Sequence, residues 1–153
     1  MANWLPRTQV PGQQVSVSAT TTPLLPGASA LLDLPGLGRL GHFLAVSTDA
    51  PSWLSFYSSA AAREADGSRP ITQDPPPGSG VLLDLATSTG ALTITAPPGG
   101  TYFSTDDPAA PPGGTYFSTD DPAASPLLRA LVRNTGTAQA AIALTVSVVV
   151  LAP

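Results

Sequence analysis

Along much of this chain apolar and polar side chains alternate one by one, the pattern of β-strands with one buried face. The longest run covers residues 138–150. There Ala138, Ala140, Ile142, Leu144, Val146, Val148 and Val150 share one face, while Thr145 and Ser147 lie on the other. Its β-branched content favours an extended backbone. Shorter runs repeat the pattern. Residues 14–20 bring Val15 and Val17 to one side, and residues 28–34 bring Leu32 and Leu34 together before Pro35-Gly36. Residues 80–85 align Val81, Leu83 and Leu85, and residues 91–95 align Leu92 and Ile94. Residues 127–133 set Leu128, Ala130 and Val132 opposite Arg129 and Arg133. Residues 42–47 carry Phe43 and Leu44; residues 53–57 put Leu54 and Phe56 on one face and Trp53 and Tyr57 on the other. The Asp49-Ala50-Pro51 turn between these two makes them a candidate hairpin. Residues 80–85 and 91–95, across Thr87-Ser88-Thr89-Gly90, make a second. Asn134-Thr135-Gly136 turns the chain into the last strand.

Eight short strands at this spacing predict an all-β fold, a two-sheet antiparallel sandwich of jelly-roll or immunoglobulin-like kind with long Pro/Gly-rich loops. The 18 prolines and 14 glycines exclude long helices. One short helix is compatible with residues 59–66, where three successive alanines and Arg63 favour it and Gly67 and Pro70 stop it. A length of 153 residues fits one domain with a real hydrophobic core. Residues 1–12 read as an N-terminal extension and 13–153 as the sandwich.

Into that sandwich a duplication is inserted. The tract PPGGTYFSTDDPAA occupies residues 97–110 and recurs letter for letter at 111–124. A buried core cannot absorb fourteen extra residues without losing its packing, so 97–124 reads as a surface loop. Each copy carries an aromatic pair, Tyr102-Phe103 and Tyr116-Phe117, between Gly-Gly and Asp-Asp-Pro. Such aromatics either dock on a neighbouring subunit or fold back over their own sheet. Together with Trp4 they are the candidate interface residues.

Charge and composition narrow the chemistry. All six basic residues are arginine, ten acidic residues leave a net charge of −4, and there is no cysteine. The balance has the wrong sign for a surface that neutralises phosphates, so nucleic acid is not an expected partner. Disulfides and thiolate chemistry are absent. The first residues lack a basic and then continuously apolar export signal, and the apolar stretch over 138–152 is too short for a membrane helix, so no membrane partner is expected. His42 is the single histidine and reads as a half-buried or interface side chain. Asp106-Asp107 and Asp120-Asp121 are acidic enough to suggest calcium, but adjacent aspartates point apart and read as turn residues before proline. Glu64 and one of nine aspartates are the raw material for a glycosidase pair, yet nothing marks the partner. No catalytic residue, metal or cofactor is therefore expected. Trp4, Trp53, Tyr102 and Tyr116 offer stacking surfaces for a glycan, although Trp53 suits a core position better.

The segment 53–86, WLSFYSSAAAREADGSRPITQDPPPGSGVLLDLA, carries a resemblance. Its order of Ala62-Arg63, Asp66, Ser68-Arg69, Thr72-Gln73-Asp74-Pro75 and Gly78-Ser79-Gly80-Val81, followed by Asn134-Thr135-Gly136 and an alternating terminal strand, resembles a family of small β-rich tailed-bacteriophage virion proteins and modules found in or beside tail-fibre genes. The resemblance covers about half the chain, and the duplicated tract departs from it. It implies a virion component rather than an activity. With low charge, abundant Pro/Gly loops and a rigid sandwich, the expected role is a non-enzymatic part of tail, baseplate or fibre attachment, working as a symmetric oligomer with copies of itself and other virion proteins. Capsid decoration and a host-surface glycan-binding module are the alternatives. Within the same stretch Arg63 and Arg69 flank Asp66 and are placed to pin a long connection through bidentate contacts.

Overall fold

The computed structural model describes residues 12–95, 116–118 and 127–152, which contain nine strands and one helix. The first sheet is built from β1 (Gln14–Thr20), β3 (Leu40–Thr48), β6 (Thr93–Thr95), β7 (Tyr116–Ser118) and β9 (Ala143–Ala152). The second contains β2 (Ser29–Pro35), β4 (Ser52–Tyr57), β5 (Val81–Ala86) and β8 (Leu127–Asn134), and the helix α1 (Ala60–Asp66) follows β4. Strand orders are β1-β9-β3-β6, with β7 also on β3, and β2-β8-β4-β5. Every pairing is antiparallel. Going from β1 to β5 and on to β9, the chain crosses between the sheets at almost every step, remaining in one sheet only from β4 to β5 and from β6 to β7. This interleaved double Greek key is the jelly roll.

All eight sequence-derived segments carry strands, and within those strands the alternation assigns the inner faces. The run over 138–150 is corrected at its start, because β9 begins only at Ala143, Ala138 is exposed in the bend after Asn134, and Ala140 makes no more than an isolated bridge to Leu24. Ile142, Leu144, Val146, Val148 and Val150 are fully buried, facing Leu34, Leu54, Phe56, Leu128, Ala130 and Val132 in one core cluster. Both candidate hairpins are corrected. β3 lies in the first sheet and β4 in the second; β5 pairs with β4 while β6 pairs with β3. Crossing the sandwich lets Phe43 of β3 meet Phe56 of β4 across the core, with ring centroids 5.4 Å apart and planes tilted by 50°. Side-chain alternation specifies which face a strand buries, not which strand it bonds.

The Asn134-Thr135-Gly136 turn is likewise a crossing from β8 to the strand that ends the chain. Buried Asn134 organises it: Nδ2 donates to the carbonyls of Leu24 at 2.8 Å and Ala138 at 2.9 Å, and Oδ1 accepts from the Gly136 amide at 2.8 Å. The duplicated tract is more than loop. Tyr116–Ser118 of the second copy runs along β3 in the register Leu40↔Ser118, Gly41↔Phe117 and His42↔Tyr116, on the edge that β6 occupies farther along.

The two outer faces differ. That of the second sheet is roofed by α1 and the connection to β5, so all six residues of β4 are buried. The first sheet presents its outer side without such a roof among the described residues. Ser16, Ser18, Thr93 and Thr95 are exposed there, and Thr145, Ser147 and Ser47 are half-buried between them.

Candidate functional site

The roofed face holds the densest cluster of polar chemistry among the described residues. Trp53, Ser55 and Tyr57 project outward from β4 because Leu54 and Phe56 fill the core. Asp84 stands opposite Ser55 on β5, and Arg133 opposite Trp53 on β8. From above, Ser59 caps α1 by accepting the Ala62 amide, and the helix delivers Arg63 and Asp66 toward the sheet. Gly80 allows the roof to close. Its φ is +84°, and a Cβ there would stand 2.6 Å from that of Ala62.

Asp66 is the centre. Its carboxylate accepts a bidentate pair from Arg69, Nε to Oδ1 at 2.7 Å and Nη2 to Oδ2 at 3.1 Å, and the Tyr57 hydroxyl donates to Oδ2 at 2.7 Å. Arg69 also donates through Nη1 to Asp84 at 3.1 Å and to the Gln73 carbonyl at 2.7 Å. Asp84 Oδ1 in turn accepts from Trp53 Nε1 at 2.6 Å and from Ser55 at 2.7 Å. Burial pushes the Tyr57 hydroxyl up to about 12, reinforced by its bond to Asp66. Burial opposes the Arg69 charge, but the hydrogen bonds to Asp66 and Asp84 outweigh it and hold Arg69 above the ordinary arginine range.

Arg133 is less well matched. Its guanidinium carbon lies 3.5 Å from the Trp53 ring centroid and Nη1 donates to Ser55 at 3.1 Å, while buried Nη2 has no hydrogen-bond partner and stands 3.9 Å from Asp66 Oδ2. Beside the cluster, a surface cavity of about 500 Å³ is lined by Trp53, Arg69, Ile71, Arg133 and Asn134 among others. Ile71, 54% exposed, forms an apolar wall.

The flanking arginines behave differently from each other. Arg69 makes the bidentate contact with Asp66, whereas Arg63 reaches Asp33 of β2 at 2.7 Å and the carbonyls of Leu32 and Ala130 at 3.3 Å. Asp33 also accepts from Arg129 at 3.3 Å. Tyr57, Asp33, Asp84 and Arg133 escaped sequence reading as members of this cluster. The available signal was a polar residue inside each apolar strand, Asp84 in VLLDLA and Ser55 in SWLSFY.

Among the interface candidates, Trp4, Tyr102 and Phe103 lie outside the described residues, as do Asp106-Asp107 and Asp120-Asp121; Tyr116 and Phe117 are described only as backbone of β7. Trp53 is buried beneath the roof rather than in the sandwich core. His42 is half-buried on β3, in register with Val149 and Tyr116, and Glu64 is exposed on α1. No group of three or more potential metal ligands occurs among the described residues, and no helix there is long and apolar enough to cross a membrane. Compared with protein-family models, curated proteins and solved structures, the chain finds no match.

Proposed function

We propose that this chain is a non-enzymatic building block of a tailed-phage particle, a tail, baseplate or fibre-attachment component that assembles with copies of itself. The observation that carries this reading is the outer face of the first sheet, which has no roof among the described residues. Its rows Ser18–Thr145–Ser47–Thr93 and Ser16–Ser147–Ala45–Thr95 run across four strands without a charged side chain. Ser16 and Ser147 hydroxyls are 2.7 Å apart, as are those of Ser18 and Thr145, so adjacent strands already satisfy one another. Such a face loses little on desolvation against a second subunit, because no charge must leave water.

The buried polar cluster supports the same reading. Asp66 and Asp84 are both bound by Arg69, an arrangement that clamps a roof rather than leaving a carboxylate to move protons. Jelly rolls also serve as viral capsid and lectin domains, which agrees by analogy of fold alone. Capsid decoration uses the same architecture. Cryo-electron microscopy of purified particles separates the two: jelly-roll density on the tail is expected, density on the shell selects decoration, and absence from the particle overturns both.

The cavity beside Trp53 favours a second reading, attachment to a host-surface glycan, since an exposed Ile71 wall and neighbouring polar groups suit a sugar ring. A glycan-array screen tests it. Binding that is lost in Ile71→Asp supports this reading, and no binding to any glycan removes it.

A further inference from the structure

The tract supplies two identical Tyr-Phe-Ser sequences, Tyr102–Ser104 and Tyr116–Ser118, while β3 offers one matching edge at Leu40–His42. β6 and β7 run in the same direction along that edge. Thr95 stands opposite Ala45, and Tyr116 next takes up pairing opposite His42. Either copy can follow β6 there. The six residues 96–101 reach up to about 20 Å, whereas the three-residue step from Ala45 to His42 along β3 covers about 10 Å.

We propose that the Leu40–His42 edge accepts the tract's sequence rather than one particular copy, so that Tyr102–Ser104 and Tyr116–Ser118 exchange in it. The pairing itself is identical in both arrangements, because the neighbours Gly-Gly-Thr before and Thr-Asp-Asp after each copy are also identical. Only the linking lengths change. With the second copy paired, residues 96–115 join β6 to β7 and 119–126 lead to β8; with the first copy paired, the links are 96–101 and 105–126. Chain-closure entropy depends on the logarithm of length, and these two divisions differ by a factor of only about 1.3 in population. The exchange carries fourteen residues from one side of the paired strand to the other while the sandwich stays closed. Register slippage is ordinarily suppressed because it turns apolar residues outward, but a slip of one whole even-numbered repeat preserves every facing.

The test is amide hydrogen exchange in the full chain, read at the Leu40–His42 amides that face the added strand. Successive strand N–H groups point to opposite sides, so proline at both aromatic positions of one copy removes a ladder donor from it in either pairing phase. The variant Tyr116→Pro/Phe117→Pro and its counterpart Tyr102→Pro/Phe103→Pro are each expected to keep wild-type protection within about twofold, since the other copy takes over. All four substitutions together are expected to lower it at least about tenfold while the β2 and β8 amides stay protected. Full loss in the second-copy variant alone overturns the proposal, as does undiminished protection in the fourfold variant. Removal of residues 97–110 yields the same chain as removal of 111–124, and that single-copy protein is expected to retain protection; loss there also contradicts exchange.

Discussion

Tyr57 carries its proton well past the ordinary phenol range because its hydroxyl is buried and donates to Asp66. A folded-state value near 12 against an unfolded value near 10 means that folding favours the neutral phenol. The stabilisation is complete below pH 10 and disappears as pH rises from about 10 through 12. In alkaline denaturation, Tyr57→Phe is expected to lack this group's share of the decline, and at pH 7 to be less stable by about 1 kcal/mol, because Asp66 loses one hydrogen bond. An unchanged alkaline profile would contradict the assignment. Gly80 makes a second residue-scale case. Both Gly78 and Gly80 have positive φ, but a Cβ at Gly78 meets nothing within 4 Å, whereas one at Gly80 collides with Ala62. Gly78→Ala is expected to cost about 1 kcal/mol and Gly80→Ala about 3 kcal/mol or more in urea unfolding, the difference being the collision. Equal losses would show that the α1 roof yields freely.

The roof as an element depends on which arginine is removed. Arg69→Met strips Asp66 and Asp84 of their shared cation and is expected to destabilise by about 3 kcal/mol or more. Arg133→Met relieves a buried N–H that has no partner while forfeiting its stack on Trp53 and its donation to Ser55, and is expected to fall within about 1 kcal/mol of wild type. Equilibrium unfolding of the two variants checks this asymmetry, and a reversed order would refute the Asp66–Arg69–Asp84 network. How far such features were legible differs by kind. Strand positions were readable because fully buried Val146, Val148 and Val150 alternate with the less buried Thr145, Ser147, Val149 and Leu151, and the core demands that rhythm. Strand partners were not, because Phe43 and Phe56 carry the same pattern whether they sit in one sheet or face each other across two. The roof was half legible: Arg63, Asp66 and Arg69 crowd into one short segment, but their receivers Asp33, Tyr57, Asp84 and Arg133 are scattered from β2 to β8. Only the fold brings them together.

For the whole molecule, the jelly roll produces two sheet surfaces with opposite treatment. One is covered by a helix whose Arg63 is matched by Asp33 of the sheet and whose Asp66 is held by Arg69 of the connection that follows; the other is a broad hydroxyl surface spanning β1, β9, β3 and β6. A passive component of a symmetric assembly needs a rigid body and a contact face that sheds water cheaply, and these two sheets supply one each. The two charge-free rows of this face are the part of this reading most exposed to test. Light scattering of the purified chain at several concentrations measures its mass directly, alongside the variant Thr145→Arg/Ser147→Arg, which places two cations at the centre of that face. A closed oligomer for the native chain and a folded monomer for the variant are the expected results; a native chain that stays monomeric, or a variant oligomer of unchanged mass, would contradict assembly through this sheet.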